Sequence, residues 1–389
     1  MILTTPKYKA FYNNNPIYAL MEVFITGGTG FVGSALVKSL LRDEETTSII
    51  ILVRNILAAT NHFIKLGFKK YINNGRLILI EGDICVPNLG LTEFKIKSLL
   101  EIEEVFHLAS SVSLLTDQNK KEEILTTNYI GTKNLLDMFK DSKKLRNFYY
   151  FSSAYVCGNY SGEVKENWID RPKSFRNYYE ESKWLSEELI KEYHLKYGIP
   201  FIVLRPSIIS TEISDKSSEL SGFTIYRYCN IIRDAFNMQK ITKIATIRLH
   251  GSPNSTLNII PLNFVIKIIS EIRKGGFVNK IFNLTSDLDC HTRFILDGLE
   301  DALKFKGGFV FVKNLSFSFL SEAEKFAYIK TKPFWEYLLG DKILWSSQNS
   351  EQLRREQGLF IDNPKWIKGH IKNYFSKQKE TENGIPIRN

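Results

Sequence analysis

A tyrosine and a lysine four residues apart could carry out proton transfer at a carbonyl group. Tyr179 and Lys183 form a Tyr-x-x-x-Lys pattern, and at helical spacing their side chains share one face. The lysine charge is expected to lower the pKa of the phenol, so that the phenol exchanges a proton near neutral pH. In a chain with 18 tyrosines such a pair also arises by chance. Its position in the fold therefore decides whether the pair indicates a functional site.

The position of this pair favours a catalytic role over a chance occurrence. The pair begins a predicted helix directly before a buried strand at residues 201–204, and the strand at 148–151 ends in Ser152 and Ser153. Ligands bind at the carboxyl ends of parallel strands. A serine, a tyrosine and a lysine would therefore converge there, with the serine hydroxyl holding a substrate carbonyl oxygen.

A glycine-rich segment follows the first predicted strand and begins the first predicted helix. It has the spacing Gly-x-x-Gly-x-x-Gly, at Gly27, Gly30 and Gly33. Glycines there allow a tight turn, a close approach of backbone to a pyrophosphate, and packing of the helix on the strand. The helix N-terminus would present free N–H groups to the phosphates. We expect these residues to bind a dinucleotide: Gly27, Thr29, Gly30, Phe31, Val32 and Gly33.

The end of the second predicted strand selects the dinucleotide. NAD enzymes usually place an acid there to bind the ribose 2′-hydroxyl, whereas this strand ends in Val53–Arg54–Asn55. The planar guanidinium of Arg54 can pair with a 2′-phosphate. We therefore predict NADP(H) rather than NAD.

The elements that position these residues are short apolar strands alternating with helices. Six strands are predicted, at residues 22–26, 49–53, 77–80, 105–108, 148–151 and 201–204, with helices at 31–42 and about 57–73. Near-continuous hydrophobic strands indicate a parallel sheet covered on both faces. The prediction is an α/β, Rossmann-type, doubly wound parallel sheet with a smaller, mostly helical C-terminal lobe for the substrate. Residues 1–20 are expected to be a poorly ordered extension, 21–285 the nucleotide-binding domain with lobe insertions after about 208, and 286–389 the helical lobe.

Composition excludes several classes of protein. The chain has 389 residues, of which 43% are hydrophobic and 24% charged, the balance of a globular protein. The sequence contains no run of roughly 18 apolar residues that would span a membrane. The net charge is +10, and the basic residues are scattered along the sequence. This pattern favours phosphorylated or acidic partners over nucleic acid. Four widely spaced cysteines predict neither a metal site nor a disulfide framework. Together with an N-terminus unlike a signal peptide, they lead us to expect the cytoplasm. The oligomeric state is not indicated.

Several local patterns make the chain resemble a known family over roughly residues 21–280. They are Glu81–Gly82–Asp83–Ile84, Phe106–His107–Leu108–Ala109–Ser110–Ser111, Asn128–Tyr129–Ile130–Gly131–Thr132, Ser152–Ser153–Ala154–Tyr155–Val156–Cys157–Gly158, Asn177–Tyr178–Tyr179–Glu180–Glu181–Ser182–Lys183–Trp184 and Leu204–Arg205–Pro206–Ser207. With the glycine-rich turn, they resemble an extended short-chain dehydrogenase/reductase. Within that superfamily the chain is similar to the fatty acyl-CoA reductase and thioester reductase branch, also called male-sterility-type NAD-binding proteins.

The resemblance implies a role for each matching position. Ser153, Tyr179 and Lys183 would be the catalytic set, with Lys183 also holding the nicotinamide ribose and Asn128 supporting Lys183. The remaining positions implied to contact the cofactor are Asp83 and Ile84 beside the adenine, Ala109 and Ser110 on the path towards the nicotinamide, and Pro206 and Ser207 at the nicotinamide.

The activity that the resemblance implies is reduction of an acyl thioester by NADPH. The thioester would be an acyl-CoA or an acyl group on a carrier protein, and the product an aldehyde or an alcohol. The polar residues between Ile208 and Leu220 leave the preference for an acyl chain open. One alternative is a ketone, alcohol or sugar-nucleotide enzyme of the steroid- or dihydroflavonol-reductase type. Another is a non-catalytic NADP-binding sensor, although such proteins tend to lose the tyrosine or the lysine.

Overall fold

The computed structural model describes residues 21–211, 224–239, 246–340, 342–356, 358, 361 and 365–382. Its strands are β1 (Met21–Thr26), β2 (Thr46–Val53), β3 (Leu77–Glu81), β4 (Glu104–His107), β5 (Asn147–Phe151), β6 (Gly162–Val164), β7 (Phe201–Pro206), β8 (Ile208–Ser210), β9 (Ile247–His250), β10 (Thr256–Leu257), β11 (Ile259–Pro261), β12 (Lys280–Leu284), β13 (Cys290–His291), β14 (Phe309–Val312) and β15 (Ile343–Trp345). The expected extension at 1–20 lies outside the described residues.

The helices alternate with the strands of the first half and predominate in the second. They are α1 (Phe31–Leu40), α2 (Ile56–Lys65), α3 (Lys69–Asn73), α4 (Glu93–Leu99), α5 (Gln118–Leu125), α6 (Gly131–Phe139), α7 (Tyr178–Tyr197), α8 (Thr224–Gln239), α9 (Leu262–Lys274), α10 (Thr292–Leu303), α11 (Glu322–Thr331), α12 (Trp335–Leu339), α13 (Gln348–Glu356) and α14 (Trp366–Glu382). Within the described ranges no helix is long and apolar enough to cross a membrane.

Seven strands form one parallel sheet in the order β12-β7-β5-β4-β1-β2-β3. The chain moves outwards from β1 through β2 to β3, then returns to place β4 on the other side of β1. This reversal leaves a crevice at the carboxyl ends of β1 and β4, where such sheets bind ligands. The predicted doubly wound fold is confirmed, and β12 adds a strand that the sequence analysis did not predict.

Both faces of the sheet are buried, which explains why its strands are almost continuously apolar. Successive residues of β1 enter different cores, with Val23 and Ile25 packed on one face and Phe24 on the other. The first face is covered mainly by α1 and α9, and the second by α6 and α7. This packing fixes α1 and α7 against strand ends that carry the candidate site.

One predicted helix is divided in the structure. The expectation of a helix over about 57–73 is wrong, because α2 ends at Lys65 and α3 begins only at Lys69. Between them Gly67 has a φ of +83°, a backbone conformation that interrupts a right-handed helix and that glycine adopts readily.

A second core lies beside the sheet domain. It is built from α8, β9, α10, β14, α11 and α14, and therefore draws on residues before and after β12. Helices α10 and α14 pack against each other through buried residues such as Leu299 and Ile371. This second core forms one wall of the candidate site.

Candidate active site

The glycine-rich turn leaves no room for side chains at two of its positions. A Cβ atom on Gly27, which has a φ of +72°, would lie 2.6 Å from the backbone nitrogen of Ala109. A Cβ atom on Gly33 would lie 2.1 Å from the carbonyl oxygen of Gly27. The N-terminus of α1 has no side-chain cap, so its first N–H groups remain available to an anion. The turn therefore fits the pyrophosphate of a dinucleotide.

Two adjoining cavities share this turn. The first, here the Arg54 cavity, is lined by Arg54 at the end of β2 and by seven further predicted positions: Gly27, Thr29, Gly30, Asp83, Ile84, Ala109 and Ser110. The second, here the Tyr179 cavity, is lined by Ser153, Tyr179 and Lys183 and by eight further predicted positions: Gly27, Gly30, Phe31, Val32, Gly33, Ser110, Pro206 and Ser207. Every predicted site residue except Asn128 lines one of them. A dinucleotide across the turn would place one end in each cavity.

The Arg54 cavity suits the adenosine end of such a cofactor. Arg54 is exposed, and the end of β2 carries no acid. Asp83 accepts a hydrogen bond from the backbone N–H of Cys85 at 2.9 Å, which shapes the loop after β3. His62 and Cys85 also line this cavity and were not predicted. They follow no motif that sequence reasoning could have used.

Helix α7, which carries Tyr179 and Lys183, begins after a capping residue. The Asn177 side chain accepts the N–H of Glu180 at 3.0 Å, and Glu180 and Glu181 lie in the first turn, where acids stabilise a helix. Helix α7 therefore starts at Tyr178, and the next residue, Tyr179, faces the cavity.

Ser153 and Lys183 complete the predicted set. Ser153 caps a short 3-10 helix, Ala154–Cys157, by accepting the N–H of Tyr155 at 3.2 Å. The Lys183 ammonium donates to the carbonyl oxygen of Phe151 at 2.6 Å, and its Nζ lies 5.7 Å from the centre of the Tyr179 ring. The structure thus brings all three side chains to the carboxyl end of β5.

The pKa values of this set differ from the prediction. Burial raises the pKa of Tyr179 to about 12, and the nearby Ser153 hydroxyl lowers it only in part. Burial also lowers the pKa of Lys183 to about 7, against an opposing effect of the Glu187 carboxylate. The expectation that Lys183 lowers the pKa of Tyr179 is therefore wrong for this structure, because burial dominates and the opposing effect comes from the Ser153 hydroxyl. At neutral pH the phenol is protonated and can act as a proton donor.

Asn128 connects two segments beside the site. It lies in a π-helical turn, Thr126–Ile130, and its amide nitrogen donates to the carbonyl oxygen of Ser111 at 3.0 Å and to the hydroxyl of Ser182 at 2.8 Å. Its amide oxygen accepts from the backbone N–H of Ser111 at 2.7 Å. Asn128 therefore joins the loop after β4 to α7 and reaches Lys183 only through its neighbour Ser182.

Ser207 carries an unused hydrogen-bonding group beside the predicted nicotinamide position. Its side-chain oxygen is buried and has no partner among the described residues. Its backbone N–H donates to Leu284, so β12 fixes the loop that carries it. A buried hydroxyl without a partner is costly, and the carboxamide of a nicotinamide is one group that would satisfy it.

A buried ion pair between Glu187 and Arg205 joins α7 to β7 and was not predicted. Glu187 accepts two hydrogen bonds from Arg205, at 2.9 and 2.5 Å, and one from the hydroxyl of Ser152 at 2.5 Å. Both charged side chains are almost completely buried. Glu187 lies one helical turn after Lys183 on α7, so a Tyr-x-x-x-Lys-x-x-x-Glu spacing is the signal that could have found it.

The rest of the Tyr179 cavity is mainly apolar. Its volume of about 350 Å³ lies within the range of ligand sites. Its wall away from the glycine turn comes from widely separated segments: Val112, Leu114, Ile208, Ile225, Tyr228, Leu257, Ile295, Phe334 and Leu338. Of the segment judged polar from the sequence, Ile208 and Ile209 line the cavity, and the residues from 212 to 220 lie outside the described ranges. The cavity suits an apolar chain that reaches Ser153 and Tyr179.

Comparisons with known proteins identify relatives of this chain. The model of the male sterility protein family, an NAD-binding family, matches residues 25–269. UDP-glucuronic acid decarboxylase 6 of Arabidopsis thaliana is 28% identical over 188 residues, which is 48% of this chain and 50% of that protein. A Drosophila melanogaster protein named as fatty acyl-CoA reductase CG8306 is 29% identical over 304 residues, covering 68% of this chain and 56% of that protein. The chain thus spans about half the length of these curated relatives.

Solved structures confirm the fold. The terminal R domain of the myxalamid biosynthetic pathway aligns with a TM-score of 0.72 at 18% identity, over 95% of this chain and 92% of that one. UDP-glucuronic acid 4-epimerase from Bacillus cereus, solved with NAD, aligns with a TM-score of 0.64 at 19% identity, over 92% and 99%. Both alignments extend beyond the sheet domain into the second core.

Proposed function

Because the chain belongs to the male sterility protein family, we propose that it is an NADPH-dependent reductase of acyl thioesters. The observation that carries this proposal is the apolar cavity that ends at Ser153 and Tyr179. An acyl chain in that cavity would bring its thioester carbonyl beside the phenol and the hydroxyl. The second core, which supplies most of the apolar wall, would select the chain.

The residues of the site have distinct tasks in this reaction. Pro206 and Ser207 would hold a nicotinamide, which would supply a hydride to the carbonyl carbon. Tyr179, protonated at neutral pH, donates its proton to the carbonyl oxygen as negative charge develops there. Ser153 donates a hydrogen bond to the same oxygen. The resulting hemithioacetal releases the thiol and leaves an aldehyde, and a second hydride transfer would give the alcohol.

Lys183 would bind the cofactor in this proposal. Its ammonium is fixed by the carbonyl oxygen of Phe151 at the floor of the cavity, where it can bind the hydroxyls of the nicotinamide ribose. The Arg54 guanidinium would bind the 2′-phosphate at the other end. The net charge of +10 favours the phosphates of coenzyme A or an acidic carrier protein as partner.

A substrate panel tests the proposal. The purified chain is mixed with NADPH or NADH and with acyl-CoA esters of increasing length, aldehydes, ketones or sugar nucleotides, while absorbance at 340 nm is followed. We expect NADPH oxidation with acyl-CoA esters and a rate that rises with chain length until the cavity is filled. Oxidation with ketones alone would refute the thioester assignment.

A second function has support from one observation. Relatives that match about half of this chain act on sugar nucleotides by name, including UDP-glucuronic acid decarboxylase and dTDP-glucose 4,6-dehydratase. A sugar-nucleotide enzyme needs polar and cationic groups for a sugar and a diphosphate, whereas the described wall of the Tyr179 cavity is mainly apolar. Conversion of a UDP- or dTDP-sugar with NAD, together with inactivity on thioesters, would favour this alternative.

A further inference from the structure

The first turn of α7 carries a buried carboxylate next to the reactive tyrosine. Glu180 directly follows Tyr179, and its side chain is completely buried. The carboxylate accepts hydrogen bonds from the backbone N–H of Arg176 at 3.0 Å and, more weakly, from the Arg176 guanidinium at 3.4 Å. These two contacts come from the loop just before the helix.

The shortest contact of this carboxylate comes from the other end of the chain. The hydroxyl of Tyr337, on α12, donates to Oε1 of Glu180 at 2.7 Å. The same hydroxyl accepts a hydrogen bond from the amide nitrogen of Asn177, the cap of α7, at 2.8 Å. One phenol from α12 therefore contacts both the cap and the first turn of α7.

The ring of Tyr337 is itself fixed and lines the Tyr179 cavity. It meets the ring of Tyr155 edge to face, with centroids 5.1 Å apart, and the Arg176 guanidinium lies 5.3 Å from its centroid. The ring is therefore part of the cavity wall, while its hydroxyl points to Asn177 and Glu180 behind that wall.

We propose that Tyr337 is a positioning residue, which acts through Glu180 and Asn177 to keep Tyr179 directed at the substrate carbonyl. The inference rests on the proposed function for the reaction, but the contacts that carry it do not depend on the identity of the substrate. A hydrogen bond to a buried charged group is worth more than one between neutral groups. Loss of this hydroxyl would therefore let the first turn move at the residue beside Tyr179.

The electrostatic consequence follows from the groups that face Glu180. Burial raises the pKa of Glu180, while Arg176 and the Tyr337 hydrogen bond lower it. Tyr155 and Cys157, from the 3-10 helix, are neutral neighbours whose own pKa values are raised mainly by burial. Without the Tyr337 hydroxyl, Glu180 becomes protonated at higher pH. Protonation of Glu180 removes the charge that anchors the first turn of α7, so the fall in kcat at low pH, the acid limb of the pH–rate profile, should begin at a higher pH in a variant without this hydroxyl.

Three variants separate a positioning role from a merely structural one. In Tyr337→Phe the ring stays in the wall, and we expect kcat to fall about tenfold, KM to change less than twofold, and the acid limb to shift to higher pH. In Glu180→Gln the same limb should flatten, because the titrating group is gone. Tyr160→Phe removes the hydroxyl of a half-exposed tyrosine outside the site and should match the wild type.

A second measurement needs no turnover. With tyrosines labelled at the phenolic carbon, the NMR signal of Tyr179 is assigned by its loss in Tyr179→Phe. We expect Tyr337→Phe, but not Tyr160→Phe, to move that signal. If the wild type fails to reduce any thioester while the signal still moves, the proposed function is wrong and the positioning role stands. An unmoved signal with unchanged kcat and acid limb would overturn the role of Tyr337.

Discussion

Substitution of Gly33 by alanine tests the cofactor site with a single added methyl group. The new Cβ would lie 2.1 Å from the carbonyl oxygen of Gly27, whereas ordinary contact begins at 3.4 Å, so one of them must move by about 1.3 Å. That oxygen accepts the N–H of Gly30 at 3.0 Å. The displacement therefore opens the turn that would hold the pyrophosphate.

The expected result is a large loss of NADPH binding. Because several backbone N–H groups would be displaced together, we expect the dissociation constant of NADPH to rise about 100-fold, or ~2.7 kcal/mol. Titration calorimetry measures it directly. The matched control is Gly369→Ala on α14, where the added Cβ meets nothing within 4 Å and the substitution should stabilise the helix by up to about 1 kcal/mol. Gly33→Ala with wild-type affinity for NADPH would refute the assignment of this turn.

Three further predictions follow from the charged residues of the site. Arg54→Ala should raise KM for NADPH at least about tenfold while leaving KM for NADH unchanged, with the exposed Arg42→Ala as control; equal effects on both cofactors in steady-state kinetics would contradict this role. The pKa of Lys183 is lowered to about 7, so its positive charge is present below that pH and is lost as the pH rises through it. The affinity for NADPH, measured by fluorescence titration, should therefore weaken above about pH 7 in the wild type but not in Lys183→Met; parallel profiles would argue against the ammonium as a ligand. Arg205→Met leaves the buried carboxylate of Glu187 without its partner and should lower the free energy of unfolding by about 3–5 kcal/mol in denaturant titrations. The double variant with Glu187→Met should regain most of that loss. A double variant as unstable as Arg205→Met alone would contradict the pairing.

Local sequence patterns were sufficient to predict six of the seven strands of the sheet and the glycine-rich turn beside it. At Gly27 and Gly33 a side chain would collide with nearby backbone. Tyr179 and Lys183 lie on one helix, and its cap, Asn177, binds the N–H of Glu180 only three residues later. Such short-range constraints are visible in the order of residues. Strand β12 was missed because Lys280 and Asn283 interrupt its apolar run. Burial of Asn283 is possible because its amide nitrogen donates to the carbonyl oxygens of Val164 and Ser346.

Tertiary contacts determine what the sequence could not show. Tyr337 reaches Glu180 across 157 positions, and the residues that bring them together, such as Phe334 and Tyr228, belong to a core assembled from distant segments. The pKa of Tyr179 was predicted in the wrong direction for the same reason. A neighbouring lysine is visible in the sequence, but the burial that raises the pKa of the phenol is a property of the folded chain.

Coupled release of a thiol tests the central claim most directly. Wild-type chain and Tyr179→Phe are each mixed with NADPH and the long-chain acyl-CoA that the panel finds best, and free thiol is measured together with NADPH oxidation. Thioester reduction predicts one thiol for each NADPH if the aldehyde is released, or one for every two if the alcohol forms. It also predicts a loss of about 100-fold or more in Tyr179→Phe. Thiol release without NADPH oxidation, or full activity in Tyr179→Phe, would contradict a tyrosine-dependent thioester reductase.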